Sequence, residues 1–392
     1  MRGPAAVFWE RIDPRKVLIM LTEECEATVK RSLLMAEFHK NAGAKMITFG
    51  QWEVPAYYTT IIDEHRCVRE RVGIFDVSHM GEIVIAGKDA RPYVQHLLTN
   101  NIDNYANGTA YYALMCDHKG GIVDDVFVYP VEQELVFLVV NASNIEKDHA
   151  WMLANNPFKD VTIDNVSAKR AMLACQGPLA QAVVSKVFDR DAQALGFHKF
   201  TEMFFEGEKV VVSASGYTGE RGFEIMFANH QGPALWARLL ELGEEYGIQP
   251  IGFGARDTLR IEAGCPLYGH ELSNAILPFE VNLGWVVKLD KKADFIGKVA
   301  LQKALASGVK RKLVGLEMLE RSVPREGYGI MQAGKPVGVV TSGCYLPTID
   351  KNAAMALINI SEVDHDAPVD VAIRGRHYKA KIVKLPFYRV KK

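Results

Sequence analysis

Apolar and polar positions alternate at two different spacings along this chain, and the spacing changes from segment to segment. Residues 33–41 read as a helix that stops at Gly43. The stretch 48–55 reads as extended, with Pro55 as its breaker. Residues 60–71 predict a helix with charge along one side. A short strand over Ile83, Val84 and Ile85 leads to Gly87-Lys88-Asp89-Ala90, which opens a helix running to Leu98. A polar loop covers 100–107. Strand alternation returns over 111–115, 123–130 and 135–141. A helix over 142–153 then starts among Asn and Ser residues, which suits a side-chain cap.

A similar order recurs downstream: a strand over 171–174, a helix over 178–187, strands over 209–215 and 223–227, and a helix over 233–246. Mixed strands and helices of this kind predict an α+β region with antiparallel sheets. The repeated order predicts two related mixed α/β subdomains, although no residue-level repeat is visible. The lysine-rich segment 291–308 reads as a linker with a helix. From Arg311 onward the chain is β-rich with Gly-Pro turns, as in a small barrel or sandwich. The expected division is an N-terminal extension over 1–32, a two-subdomain region over 33–300 and a C-terminal β-barrel over 310–389.

Composition narrows the function classes. With 392 residues, 48% hydrophobic content and 24% charged content, the chain can bury a sizeable core and reads as a soluble globular protein. A formal net charge of −1 gives no global field for nucleic acid or anionic membrane. No apolar run reaches the length of a membrane span. The six cysteines are scattered without a CxxC pair, which argues against a zinc site or disulfide framework and fits a reducing compartment. The segment up to about Arg31 carries an acidic patch at Glu23, Glu24 and Glu26, unlike a secretory or mitochondrial leader, and reads as a short helical or frayed extension. A cytoplasmic setting is expected, or the mitochondrial matrix in a eukaryote.

The candidate chemistry centres on Ser215-Gly216-Tyr217-Thr218-Gly219-Glu220-Arg221-Gly222-Phe223-Glu224. The glycines permit a tight turn and close approach to a flat ligand. A glutamate held there can accept paired hydrogen bonds from an amino-pyrimidine edge. Other segments stand in a fixed order around it: Phe75-Asp76-Val77-Ser78-His79-Met80-Gly81-Glu82, Gly120-Gly121-Ile122-Val123-Asp124-Asp125, and Gly254-Ala255-Arg256-Asp257-Thr258-Leu259-Arg260. Pro266-Leu267-Tyr268-Gly269-His270-Glu271 and Thr341-Ser342-Gly343 follow. Together, from about Leu33 to Phe387, these segments resemble the aminomethyltransferase family, the T-protein of the glycine cleavage system, whose scaffold is shared by folate-dependent demethylases.

The resemblance implies a cloverleaf of three lobes around a central folate channel. It also implies tetrahydrofolate as co-substrate and a lipoylated carrier protein as partner, and no metal-binding residues are expected. In that reading Glu224 holds the pterin ring, and alternation puts it on the opposite face from Phe223 and Ile225. Arg256 belongs to the folate site, where its planar fork suits carboxylates and carbonyls. Tyr217 is a pocket wall or core. Met80, Tyr111, Tyr112, Val139, Val140 and Asn141 fall in channel-lining segments, with core packing as the alternative, and Trp52 is a wall or core. His79 reads as a hydrogen-bonded structural residue, Asp257 and Arg260 as a helical pair, and Asp124 and Asp125 as turn residues. Glu262 is equally a surface residue or a buried partner.

One position departs from the family pattern. Where the family carries an Asp aimed at the reactive folate nitrogens, this chain reads Thr99-Asn100-Asn101-Ile102-Asp103. Asn101 keeps the size and one acceptor but no charge, so it cannot act as a carboxylate base. Asp103 can substitute if the loop is extended, since it then shares a face with Asn101. Three functions compete. The first is aminomethyl transfer from the lipoyl carrier to tetrahydrofolate, with release of ammonia. The second is demethylation of a small methylated donor to give 5-methyltetrahydrofolate. The third is folate binding without catalysis, for which Gly343-Cys344-Tyr345 continues into Leu346-Pro347-Thr348 rather than the expected signature.

Overall fold

A computed structural model of the chain describes residues 31–390. A small sheet opens it, in the order β1 (Arg31–Ser32), β3 (Trp52–Tyr57), β2 (Lys45–Phe49). The expected extension over 1–32 therefore ends in a strand, and its residues before Arg31 lie outside the described ones. Pro55, read as a breaker, sits inside β3. It is tolerated because β1 pairs only as far as Glu53 on one side, while the register with β2 slips beside Met46 on the other.

After β4 (Gly73–Asp76), the first α/β unit runs β5 (Gly81–Ala86), helix Ala90–Leu97, a 3-10 turn at Ile102–Asn104 and β6 (Tyr111–Cys116). It continues through β7 (Ile122–Glu132), β8 (Leu135–Val140), helix Ile145–Ala154 and β9 (Thr162–Asn165). The second unit repeats that order: β10 (Arg170–Gln176), helix Ala180–Phe188, a 3-10 turn at Ala192–Ala194 and β11 (Phe200–Phe205). Then come β12 (Glu208–Ser213), β13 (Gly222–Ala228), helix Gly232–Gly243 and β14 (Gln249–Pro250). The sheets match as well, β6-β7-β8-β5-β9 against β11-β12-β13-β10-β4-β14, with β4 wedged before the last strand.

Local residue echoes accompany this repeat, contrary to the sequence reading. Gly87 and Gly177 stand three residues before the first helix of each unit, at φ 122° and 127°. A Cβ there would lie 2.3 Å from the Asp160 carbonyl oxygen or 2.5 Å from that of Arg71, so only glycine fits. Asn101 and Asp191 each cap the 3-10 turn of their unit. The expected side-chain cap on the helix after β8 is absent, because Asn144 donates its amide to Asp124 instead.

Apolar side chains of each sheet pack against that unit's helices, and a separate cluster around Phe75, Val77, Tyr129, Val139 and Met226 fills the space between the sheets. Helix Phe253–Glu262 packs against this inter-sheet cluster through Ala255 and Leu259. The chain ends in a closed barrel of β15 (Arg311–Met318), β16 (Gly329–Gln332), β17 (Lys335–Leu346), β18 (Lys351–Asn359), β19 (Val369–Ile373) and β20 (Arg376–Val383). The barrel order is β15-β18-β17-β16-β19-β20, so the open alternative of a sandwich does not apply. The segment expected as a linker contributes a buried side chain: Lys291 inserts its ammonium against the carbonyls of Gln95, Leu98 and Asn100, at 2.7, 2.6 and 3.0 Å. Among the described residues no helix is long and apolar enough to cross a membrane.

Candidate active site

Glu224 lies on β13, registered opposite Ala174 of β10 and Ser213 of β12. Its neighbours Phe223 and Ile225 are fully buried in the helix-side core, so the pleat sends Glu224 to the inter-sheet face. Ser215 donates to Glu224 Oε2 at 2.5 Å, and Ser213 Oγ lies 2.9 Å from the same hydroxyl. The second carboxylate oxygen has no hydrogen-bond partner among the described residues. Burial raises the Glu224 pKa, and the Ser215 bond and the Arg256 charge oppose that rise.

The loop before Glu224 owes two of its glycines to a residue the sequence reading did not single out. A Cβ at Gly216 or Gly222 would fall 1.9 or 2.4 Å from the side-chain amide of Gln176. That amide donates to the Ser215 carbonyl at 3.0 Å and accepts from Thr218 Oγ1 at 3.1 Å. Room for Gln176, rather than for a ligand, therefore explains these positions. Tyr217, half-buried in the same loop, donates its hydroxyl to the Pro266 carbonyl. Arg256 lies with its guanidinium 4.8 Å from the Tyr217 ring centroid. It has no hydrogen-bond or ion-pair partner among the described residues, and burial lowers its pKa while Tyr217 and Glu224 favour its charge. A carboxylate with one open oxygen and a guanidinium with an open fork thus face the same interior.

Met80 is half-buried against the inter-sheet cluster. His79 was expected to be a hydrogen-bonded structural residue, and the structure differs. Its ring is buried among Phe49, Trp52 and Phe253, its Nδ1 has no partner, and burial lowers its pKa to about 3. It is therefore a neutral aromatic neighbour. Tyr112 stacks on the exposed Trp285 with centroids 6.2 Å apart, and its hydroxyl donates to Asp125 at 2.9 Å. Val140 does not share this space through its side chain, which is fully buried among Ile83, Ile85 and Ile145 on the helix side, while Val139 faces the other sheet. Tyr111 likewise belongs to the helix-side core, stacked on Tyr105.

Asn101 and Asp103 are tied to their own turn and to Gln95. The Asn101 side-chain oxygen accepts from Gln95 Nε2 at 2.5 Å and from the Asp103 amide at 3.1 Å, capping the 3-10 turn. The loop is not extended, which removes the condition for Asp103 to substitute. Asp103 is exposed and tethered to Gln95 at 3.0 Å. Asp257 and Arg260 pair at 2.7 Å as expected, and Arg260 also reaches Glu271 and Ser342. Of the two readings for Glu262, the buried one holds: it binds Arg69 at 2.9 Å and lies 3.1 Å from His65.

Residues 35–291 match the GCVT N-terminal domain, and residues 311–389 match the glycine cleavage T-protein C-terminal barrel domain. A curated aminomethyltransferase of Geobacillus sp. (strain WCH70) is 46% identical over 362 residues, 92% of this chain and 99% of that protein. One from Bacillus subtilis (strain 168) is 45% identical over 362 residues, with the same shares. The crystal structure of the glycine cleavage system aminomethyltransferase T from Bartonella henselae superposes with a TM-score of 0.86 at 30% identity, covering 93% of this chain and 100% of that one.

Proposed function

The chain belongs to the glycine cleavage T-protein family of aminomethyltransferases, and on that premise we propose that it moves an aminomethyl group from a lipoylated carrier protein to tetrahydrofolate, releasing ammonia. The observation that carries the reading is the pair Glu224 and Arg256, each with an unused hydrogen-bonding edge and close enough for their charges to act on one another. Glu224 is the acceptor for the amino-pyrimidine edge of the pterin, and the Arg256 fork suits a carbonyl or carboxylate of the same molecule. Bound tetrahydrofolate supplies the nucleophilic nitrogens, which accords with a site that offers no activated Ser or Cys.

The residues of this chain then orient and shield. Ser215 fixes one Glu224 oxygen and leaves the other open, so the bound edge has one register. Tyr217, pinned through its hydroxyl to the Pro266 carbonyl, supports the Arg256 guanidinium from below. Met80 and the inter-sheet cluster exclude water beside them.

Glu224→Ala is expected to weaken tetrahydrofolate binding by about 2–3 kcal/mol, the scale of a hydrogen bond to a buried charge. Isothermal calorimetry reads this directly, and an unchanged affinity rejects the pterin assignment.

A further inference from the structure

The segment Gly120-Gly121-Ile122-Val123-Asp124-Asp125 reads as a turn with two acids, and the structure separates their roles. Asp124 is fully buried and structural: it accepts from the Asn141 amide nitrogen at 3.1 Å, from Asn141 Nδ2 at 2.9 Å and from Asn144 Nδ2 at 2.6 Å. Asp125, next on β7, is only half-buried and turns the other way. It accepts from the Tyr112 hydroxyl at 2.9 Å and from Asn141 Nδ2 at 2.6 Å. Its charge acts on Tyr217 and on Cys265, both of which also feel Arg256 and Arg260. Asp125 thus stands with Tyr112 and Asn141 within electrostatic reach of Tyr217. The residue that resemblance would make the acid, Asn101, is uncharged, and Asp103 is exposed and bonded to Gln95.

We propose that Asp125 is the carboxylate that carries protons during aminomethyl transfer. This rests on the transfer reading above. In that reaction the donor loses its carbon–sulfur and carbon–nitrogen bonds, and two new carbon–nitrogen bonds form to the acceptor. The two acceptor nitrogens give up one proton each. One proton goes to the sulfur, which leaves as a thiol, and one to the amine, which leaves as ammonia. No electrons are transferred to an outside acceptor. Asp125 takes a proton from an attacking nitrogen and returns it to a departing group, so it is restored in each cycle.

The surroundings suit a proton carrier. Burial first, and then the Asp124 charge, hold the Asp125 carboxyl well above the ordinary carboxylate range, while the bonds from Tyr112 and Asn141 pull it down. Behind Asp124 lies Asp148, fully buried, whose carboxyl meets that of Asp124 and lies with Oδ1 3.8 Å from the Lys147 ammonium. The titratable and charged groups around Asp125 are thus Tyr112, Asp124, Asp148, Lys147, Tyr217 and Cys265, with Arg256 and Arg260 beyond.

The test uses the full chain with tetrahydrofolate and an aminomethylated lipoyl carrier. Asp125→Asn is expected to lower ammonia release more than about tenfold and to remove the acid limb of the kcat profile. Tetrahydrofolate affinity by calorimetry should stay within about threefold, because the Glu224 and Arg256 contacts remain. Tyr112→Phe removes a hydrogen bond that favours the anion, so the acid limb should move to higher pH, and this decides the matter if Asp125→Asn does not fold. Carbon-13 carboxyl titration of the unsubstituted protein should show an inflection above the ordinary range that Asp125→Asn lacks. A smaller loss in Asp125→Asn, or an unmoved limb in Tyr112→Phe, overturns the proposal. An unsubstituted protein that releases no ammonia overturns the transfer reading as well, and is told apart because it fails before any substitution.

Discussion

Single side chains in this molecule are set by what they lack as much as by what they touch. Asp148 is the sharpest case, a fully buried carboxyl whose pKa is driven up by burial and then by the charge and hydrogen bond of the neighbouring Asp124. The sign of its effect on stability follows from linkage. A carboxyl with a raised folded pKa contributes most below its unfolded value near 3.8, and that contribution is lost as pH rises. Asp148→Asn should therefore change little at pH values near 3.5 and raise stability by more than about 1 kcal/mol near pH 8. Urea unfolding at the two pH values checks this, and equal effects at both would show that Asp148 is not held neutral. At this scale Glu224 was legible in the sequence because its motif and strand alternation are local. Gln176 and Asp125 were not, since the first meets Ser215 from 39 residues away and the second acquires its surroundings from Tyr112 and the Tyr217 loop. Asn101 was legible as a departure, but its commitment to Gln95 and to a 3-10 turn was not.

At the scale of elements, alternation and turn residues located most strands and helices, and the repeated order was readable before any coordinates. The residue echoes were hidden because they consist of a glycine φ and a turn cap, which many residue types can flank. Pro55 was misread for a related reason: a proline ends a strand only where its missing N–H is needed, and β3 does not need it there. Lys291 shows an element completed from far away. Helix Ala90–Leu97 ends with free carbonyls, and an ammonium 193 residues further on satisfies that of Leu98. Burial lowers the Lys291 pKa to about 7, while the carbonyls and the helix C-terminus favour its charge. Lys291→Met should leave three carbonyls unpaired and destabilise the protein by about 2–4 kcal/mol in urea unfolding. A change under about 0.5 kcal/mol would place those carbonyls in contact with water instead.

Across the whole molecule the barrel is fastened to the two α/β units by buried polar contacts rather than by a continuous apolar face alone. The Thr348 amide donates to Glu262 Oε1 at 2.9 Å, and Arg260 donates to Ser342 at 2.9 Å. His65 bridges Thr258 and Thr348 at 2.8 and 2.9 Å. Removing one partner of such a hydrogen bond typically costs about 1–3 kcal/mol where the other is buried, so these contacts help fix the barrel's placement beside helix Phe253–Glu262. None of these pairs is visible in the sequence, because their members lie on different bodies. The account as a whole rests on this assembly enclosing a site for aminomethyl transfer. The most direct measurement is tetrahydrofolate-dependent ammonia release by the purified protein from an aminomethylated lipoyl carrier. The account predicts turnover that requires tetrahydrofolate and falls with Glu224→Ala. Tight tetrahydrofolate binding without any ammonia release would contradict it.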